Sequence, residues 1–249
     1  MHRHRFSNGI LAEFLPPKKK VKKCRLILLY DGLPSIPRKQ PLAEFLAKKG
    51  FWVLYPRYRG AWESEGELLK ISPEKDIEEI IDALPHGLTD VAFQTHFELS
   101  PEEIFVIGGS FGGCTALMAS LNPKIKKVVA NCPVVDWSIL EEELPKETSN
   151  SSYAAYLKEA FGPGYRLSEK NWKKLEAGHF FNPTAYMNEL DPKKVILFHA
   201  KDDPYIPWEG VKNFAEKTGI KLYSFAKGGH LDTVETIQKQ WKRIEGFLK

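Results

Sequence analysis

Between residues 104 and 118 the chain leaves itself little conformational freedom. The apolar run Ile104-Phe105-Val106-Ile107 passes straight into Gly108-Gly109-Ser110-Phe111-Gly112-Gly113, and small, helix-compatible residues follow to Met118. A buried strand must therefore become a helix within a few residues, with Ser110 at the corner. Such a turn presses backbone against backbone, so residues without a Cβ are needed on both sides of the serine; Gly108 and Gly112 supply them. The corner exposes a hydroxyl to any base that reaches it. The helix that starts there aims its unpaired N–H groups and positive dipole end at the same point, which favours a negative oxygen forming beside Ser110.

A strand that feeds a helix so abruptly belongs to a repeated strand-helix pattern, and the chain continues it. The spacing predicts strands over residues 25–30, 51–55, 104–107, 127–132, 195–199 and 221–225. Helices are predicted over 40–49, 73–84, 111–121, 208–217 and 233–248. Alternation of this kind requires a mostly parallel sheet with helices on both faces, an α/β fold in one domain over residues 1–249. Asn8-Gly9 between β-like runs predicts an antiparallel N-terminal hairpin from residues 3–7 and 10–15. Two segments break the rhythm: 86–101 reads as an irregular connection, and 136–190 as an insertion with helical pieces around 152–161 and 168–177. Over the carboxyl ends of the strands that insertion would form a small cap; on the flank of the sheet it would be a solvated decoration.

Composition excludes several alternatives. No apolar run of membrane-spanning length exists, and the charged start Met1-His2-Arg3-His4-Arg5 has no apolar stretch behind it, so neither a membrane partner nor a secretory leader is expected and the cytoplasm is the expected location. Cys24, Cys114 and Cys132 lack paired spacing, which points to reduced, packed thiols and to no metal site. The 36 basic and 32 acidic residues are intermixed, so no nucleic-acid surface is implied, and the basic run Lys18–Lys23 reads as a solvated turn. Nothing in the sequence selects an oligomeric state.

In a parallel sheet, functional groups collect at the carboxyl ends of the strands, which is where partners for Ser110 should lie. One such end reads His199-Ala200-Lys201-Asp202-Asp203-Pro204-Tyr205-Ile206-Pro207, and another Phe225-Ala226-Lys227-Gly228-Gly229-His230. His230 is the expected base, because it alone of the seven histidines follows the last strand; His199 is expected to buttress its loop. Either Asp202 or Asp203 can accept the imidazole N–H, with Asp203 favoured by the bracing of Pro204 and Pro207, and Asp136 is a rival acid. A second backbone donor beside the Phe111 N–H is expected from the loop Asp31-Gly32-Leu33-Pro34-Ser35, at Leu33.

These pieces resemble an α/β-hydrolase, and more narrowly the catalytic domain of the prolyl oligopeptidase family and its esterase relatives. The likeness rests on Tyr55-Pro56-Arg57-Tyr58-Arg59-Gly60, on the glycine-flanked Ser110, on His199 to Pro207 and on Gly229-His230. It extends from about residue 20 to the end. The third piece is similar to the family's His-Gly-x-x-Asp-x-x-Val-Pro, which selects Asp203. Asp31-Gly32-Leu33-Pro34 stands where the family has His-Gly-Gly-Pro, and the tyrosine some members carry after Arg-Gly has no match in Ala61-Trp62-Glu63-Ser64. The propeller that filters peptides in the family's peptidases has no counterpart in these 249 residues.

The resemblance and the residues together imply a serine hydrolase cleaving carboxylic esters through an acyl-enzyme, with Ser110, His230 and Asp203 as the triad and no cofactor. Trp62, Trp137 and Tyr205 are candidates for the pocket wall, while Arg59 is expected in a structural ion pair. A small-peptide hydrolase or aminopeptidase uses the same parts, and for it Glu63, Glu65 and Glu67 are candidate anchors for a free amine. A binding protein that keeps the fold without catalysis is the third reading.

Overall fold

The computed structural model describes residues 1–138 and 153–249. The chain opens with strands β1 (His2–Arg5) and β2 (Leu11–Leu15), paired antiparallel. Their turn is closed by Asn8, whose Oδ1 accepts the Ile10 N–H at 3.0 Å. Strand β3 (Arg25–Tyr30), helix α1 (Gln40–Lys49), β4 (Trp52–Pro56) and α2 (Pro73–Ala83) follow. A two-residue pair, β5 (Leu88–Thr89) and β6 (His96–Phe97), precedes β7 (Glu103–Gly109), α3 (Phe111–Ala119) and β8 (Ile125–Asn131). Then come α4 (Tyr153–Phe161), α5 (Glu169–Trp172), β9 (Val195–Ala200), α6 (Trp208–Thr218), β10 (Lys221–Phe225), α7 (Thr233–Lys239) and α8 (Trp241–Phe247).

Eight strands form one sheet in the order β1-β2-β4-β3-β7-β8-β9-β10. β1, β2 and β4 pair antiparallel, and every neighbour from β4 to β10 pairs parallel. The chain winds from β3 outward to β4 and returns to β7 on the other side of β3. The two loops that leave β3 and β7 therefore diverge, and a crevice opens between them at the carboxyl ends of the strands.

Successive side chains of a strand point to opposite faces, and both faces here are covered. Leu26, Leu28, Val106, Val128 and Leu197 pack under α2, α3 and α6. Ile27, Leu29, Phe105, Ile107 and Phe198 pack under α1, α7 and α8. Each such side chain contributes about 1.5–3 kcal/mol of burial, well above any intrinsic strand propensity, so it is two-sided burial that makes these runs strands.

The structure departs from the expectations in three places. Residues 86–101 contain the β5–β6 hairpin, whose strands are too short to show a periodicity. The helix expected over 233–248 breaks at Gln240 (φ −94°, ψ 9°), and beyond the break Trp241 packs edge-on against Phe45 and Phe51 at 5.4 and 5.9 Å. The second helical piece of the insertion is α5 continued by a 3-10 turn, Lys173–Ala177. Residues 139–152 of the insertion, including the first of the helix expected over 152–161, lie outside the described residues. Among the described residues no helix is long and apolar enough to cross a membrane.

Candidate active site

Ser110 sits between β7 and α3 with φ 58° and ψ −119°, a conformation that a non-glycine residue adopts only when its surroundings impose it. Its N–H donates to Asn131 O at 2.9 Å, and its carbonyl accepts from Cys114 at 3.1 Å and Val134 at 3.3 Å. The flanking glycines are sterically obligatory. A methyl group on Gly108 would stand 1.9 Å from Gly112 O, and one on Gly112 would stand 2.5 Å from Tyr30 O. These close approaches bring β3, β7 and α3 together at one point, with Ser110 at their junction.

The loop after β9 carries Asp203, the acid expected from the sequence. The Asp203 side chain is fully enclosed, and its Oδ2 lies 2.8 Å from His230 Nδ1. Its Oδ1 accepts the N–H groups of Tyr205 at 2.9 Å and Ile206 at 3.1 Å. Burial pushes the carboxyl up, but the hydrogen bonds from His230, Tyr205 and Ile206 outweigh it and hold Asp203 below the ordinary carboxylate range. An ionised Asp203 leaves Nδ1–H as the donor and presents Nε2 of His230 as the basic nitrogen. Asp202 is used differently, accepting the Gly229 N–H at 2.8 Å and so clamping the loop after β10 to the loop after β9.

His199 lies wholly buried below them. Its Nε2 is 3.0 Å from Ile206 O and 4.0 Å from Asp203 Oδ2, and its ring stacks on Trp208. Burial holds its pKa down, against the opposing pull of Asp203, so it is a neutral strut under the acid loop. Asp136, the rival acid, is occupied in its own turn, accepting from Ser138 N–H at 3.0 Å and from Asn182 Nδ2 at 3.3 Å.

The histidine loop is tied to the serine through Asn131. Asn131 holds the Ser110 N–H with its carbonyl, and its Nδ2 donates to Leu231 O at 2.8 Å. Thr233 completes the seam, its Oγ1 only 2.0 Å from where a Gly109 Cβ would be. Asp203 and His230 are thus bonded to each other and their loops are fastened to the Ser110 corner. Among the described residues the Ser110 hydroxyl itself makes no hydrogen bond.

On the other wall, a Cβ on Gly32 would stand 3.2 Å from Ser110 Cβ and 3.7 Å from Oγ, which puts the loop after β3 directly beside the serine. The N–H groups of Phe111 and Leu33 have no acceptor among the described residues. Behind the loop, the buried Asp31 pairs with Lys39 Nζ at 3.0 Å and accepts the Tyr55 hydroxyl. Burial raises the Asp31 carboxyl, with Lys39 pulling it back.

The three aromatic candidates occupy different surroundings. Trp62 donates its indole N–H to Ser35 O at 3.1 Å. Trp137 is buried, donating to Phe181 O at 2.7 Å and packing on Phe111 at 5.7 Å. Tyr205 is 60% exposed and stands edge-on to the His230 ring at 5.5 Å. The glutamates are engaged: Glu63 with Arg57 at 3.4 Å, Glu65 with Arg5 at 3.4 Å, and Glu67 with Asn171 Nδ2 at 3.0 Å. Arg59 pairs with Asp76 and Glu79 at 2.7 and 2.8 Å. Asn131, Tyr153 and Tyr165, which hold the site's loops, carry no local sequence signal of that role beyond the aromatic richness of the insertion in which the last two lie.

One group among the described residues brings metal-type ligands together: Cys132, Asp203 and His230 offer atoms within 4.8 Å of one another. Burial, with the Asp203 charge beside it, pushes the Cys132 thiol far up, so no thiolate is offered at ordinary pH. Asp203 Oδ2 is already committed to His230. The trio suits proton handling better than a cation. A separate hollow of about 330 Å³, lined by Lys22, Lys23, Arg25 and Glu103, lies at the amino ends of the strands, away from Ser110.

A family model described as the prolyl oligopeptidase family matches residues 40–249. No curated protein sequence matches the chain. Among solved structures, the Pyrococcus furiosus esterase Pf2001 superposes with a TM-score of 0.70 at 19% identity, covering 99% of this chain and 87% of that one. Est1E from Butyrivibrio proteoclasticus, solved with ferulic acid bound, gives 0.66 at 17% identity and covers 97% of both chains. The acylaminoacyl peptidase of Pyrococcus horikoshii gives 0.66 at 18% identity, with 99% of this chain covering 40% of that larger one. At these identities the likenesses establish the α/β-hydrolase fold.

Proposed function

The chain belongs to the prolyl oligopeptidase family of serine hydrolases, and from that premise we propose that it is a carboxylesterase working through Ser110, His230 and Asp203. The observation that carries this reading is the 2.8 Å bond between the enclosed Asp203 carboxylate and His230 Nδ1, on loops fastened to the strained corner at Ser110. As an ester enters, His230 Nε2 takes the Ser110 proton while Oγ attacks the carbonyl carbon. The N–H groups of Phe111 and Leu33 receive the oxyanion. The tetrahedral adduct expels the alcohol, which leaves with the proton held by His230, and an acyl-Ser110 remains. Water, deprotonated by the same imidazole, then attacks the acyl carbon; the bond to Ser110 Oγ breaks, Oγ takes the proton back from His230, and the acid leaves. Asp203 keeps its charge throughout and steadies the imidazolium.

The described residues 153–190 serve as the cover of the pocket in this reading, with Trp62 at its rim and Trp137 beneath it. Tyr205, exposed beside His230, is where a departing alcohol meets an aromatic surface. An ester is favoured over a peptide with a free amino terminus because Glu63, Glu65 and Glu67 are already engaged with Arg57, Arg5 and Asn171. The test pairs two measurements. A fluorophosphonate is expected to label Ser110 stoichiometrically, which a non-catalytic binding protein would not permit. Short nitrophenyl esters are expected to turn over faster than aminoacyl arylamides; arylamide turnover of equal or greater efficiency makes the protein a peptidase.

A further inference from the structure

Four aromatic donors grip the loop of residues 31–35, and two of them come from far along the chain. The Tyr58 hydroxyl donates to Asp31 O at 2.8 Å, the Tyr153 hydroxyl to Leu33 O at 3.0 Å, and the Tyr165 hydroxyl to Ser35 O at 2.7 Å. The Trp62 indole reaches the same Ser35 O at 3.1 Å, and the Ser35 N–H donates to the Tyr165 oxygen at 2.8 Å. Alternate carbonyls of the loop are thereby fixed, at Leu33 and on both sides of it.

Tyr153 is itself anchored. Its ring stacks on Trp172 at 4.5 Å, Trp172 meets Trp137 at 6.1 Å, and Trp137 packs on Phe111 at 5.7 Å. This aromatic run begins at one residue of the proposed oxyanion pair, Phe111, and ends through the Tyr153 hydroxyl on the other, Leu33. We infer that Tyr153 and Tyr165 are positioning residues that set the spacing of the two oxyanion donors, so that the insertion takes part in stabilising the transition state as well as covering the pocket. The inference rests on the ester-hydrolase reading above. Oxyanion donors act strongly because they are already aimed when charge develops, and a misplacement of about 1 Å costs on the order of 10²-fold in rate.

Tyr153→Phe removes one hydroxyl and keeps the ring on Trp172; Tyr165→Phe does the same at Ser35. In each variant kcat for a nitrophenyl ester is expected to fall about tenfold, while KM stays within about twofold, as for a contact realised in the transition state. The oxo-ester to thiono-ester rate ratio is expected to fall as well, because a sulfur anion draws little from N–H donors even when they are well placed. A merely structural role shifts the thermal midpoint and leaves that ratio alone. The two variants are independent, so if one fails to fold the other decides. Unchanged kcat and ratio in a folded variant, with the wild type labelled at Ser110 by a fluorophosphonate, overturns this inference alone. An unlabelled wild-type Ser110 overturns the hydrolase reading and this inference together.

Discussion

At the scale of single residues, Asp203 is the side chain on which most depends. It receives three hydrogen bonds, from His230, Tyr205 and Ile206, and all three are strongest to the ionised carboxylate. Asp203→Asn retains the shape and loses the charge, so His230 adopts the wrong tautomer; kcat is expected to fall about 10³–10⁴-fold, read from ester hydrolysis and from slower labelling of Ser110. The same change has a signature in stability. The folded-state pKa of Asp203 lies below its ordinary 3.8, so its ionised form stabilises the fold above pH 3.8, and that contribution is lost as pH falls through 3.8 toward the lower folded value. Urea midpoints of wild type and Asp203→Asn are therefore expected to differ at pH 6 and to converge as the solution approaches pH 3. A constant gap across that range would show that Asp203 gains nothing from its ionised form.

Among the elements, the β7–Ser110–α3 corner is the least forgiving. Gly108→Ala places a methyl 1.9 Å from the Gly112 carbonyl, a backbone contact that no rotamer can relieve. Destabilisation of roughly 3 kcal/mol is expected, at the upper end for overpacking, measured by denaturant titration. Activity should fall further than stability, because any relief moves Ser110 relative to its partners. A loss under about 1 kcal/mol would mean that the corner is looser than its φ of 58° implies. The insertion is the contrasting element. Its described parts are short helices and turns with little regular hydrogen bonding to the sheet, yet Tyr165 and Tyr153, whose ring stacks on Trp172, tie it to the loop after β3.

For the molecule as a whole, both faces of the sheet stabilise the fold, while the site lies at the carboxyl ends of its strands. The face under α1, α7 and α8 is closed by Trp241, edge-on to Phe45 and Phe51. Trp241→Ala is expected to cost about 3–5 kcal/mol by chemical denaturation. Below the transition, the rate of Ser110 labelling should stay within about twofold, since this core lies away from the crevice. What the sequence by itself determined is what depends on near neighbours: buried runs such as Ile104–Ile107, the glycines on both sides of Ser110, the Asn8-Gly9 turn and the order in which Ser110, Asp203 and His230 follow strand ends. These are periodicities of two and 3.6, or steric demands within a few residues, and they leave a local trace. Only the tertiary structure decided what Asp202 does instead, clamping Gly229, how Asn131 fastens the histidine loop, and that Glu63, Glu65 and Glu67 are already partnered. It also decided the hold of Tyr153 and Tyr165 on a loop 120 and 130 residues away. Contacts of that reach are set by how helices and loops settle on the finished sheet, and side-chain directions there carry no repeat that a linear chain could display.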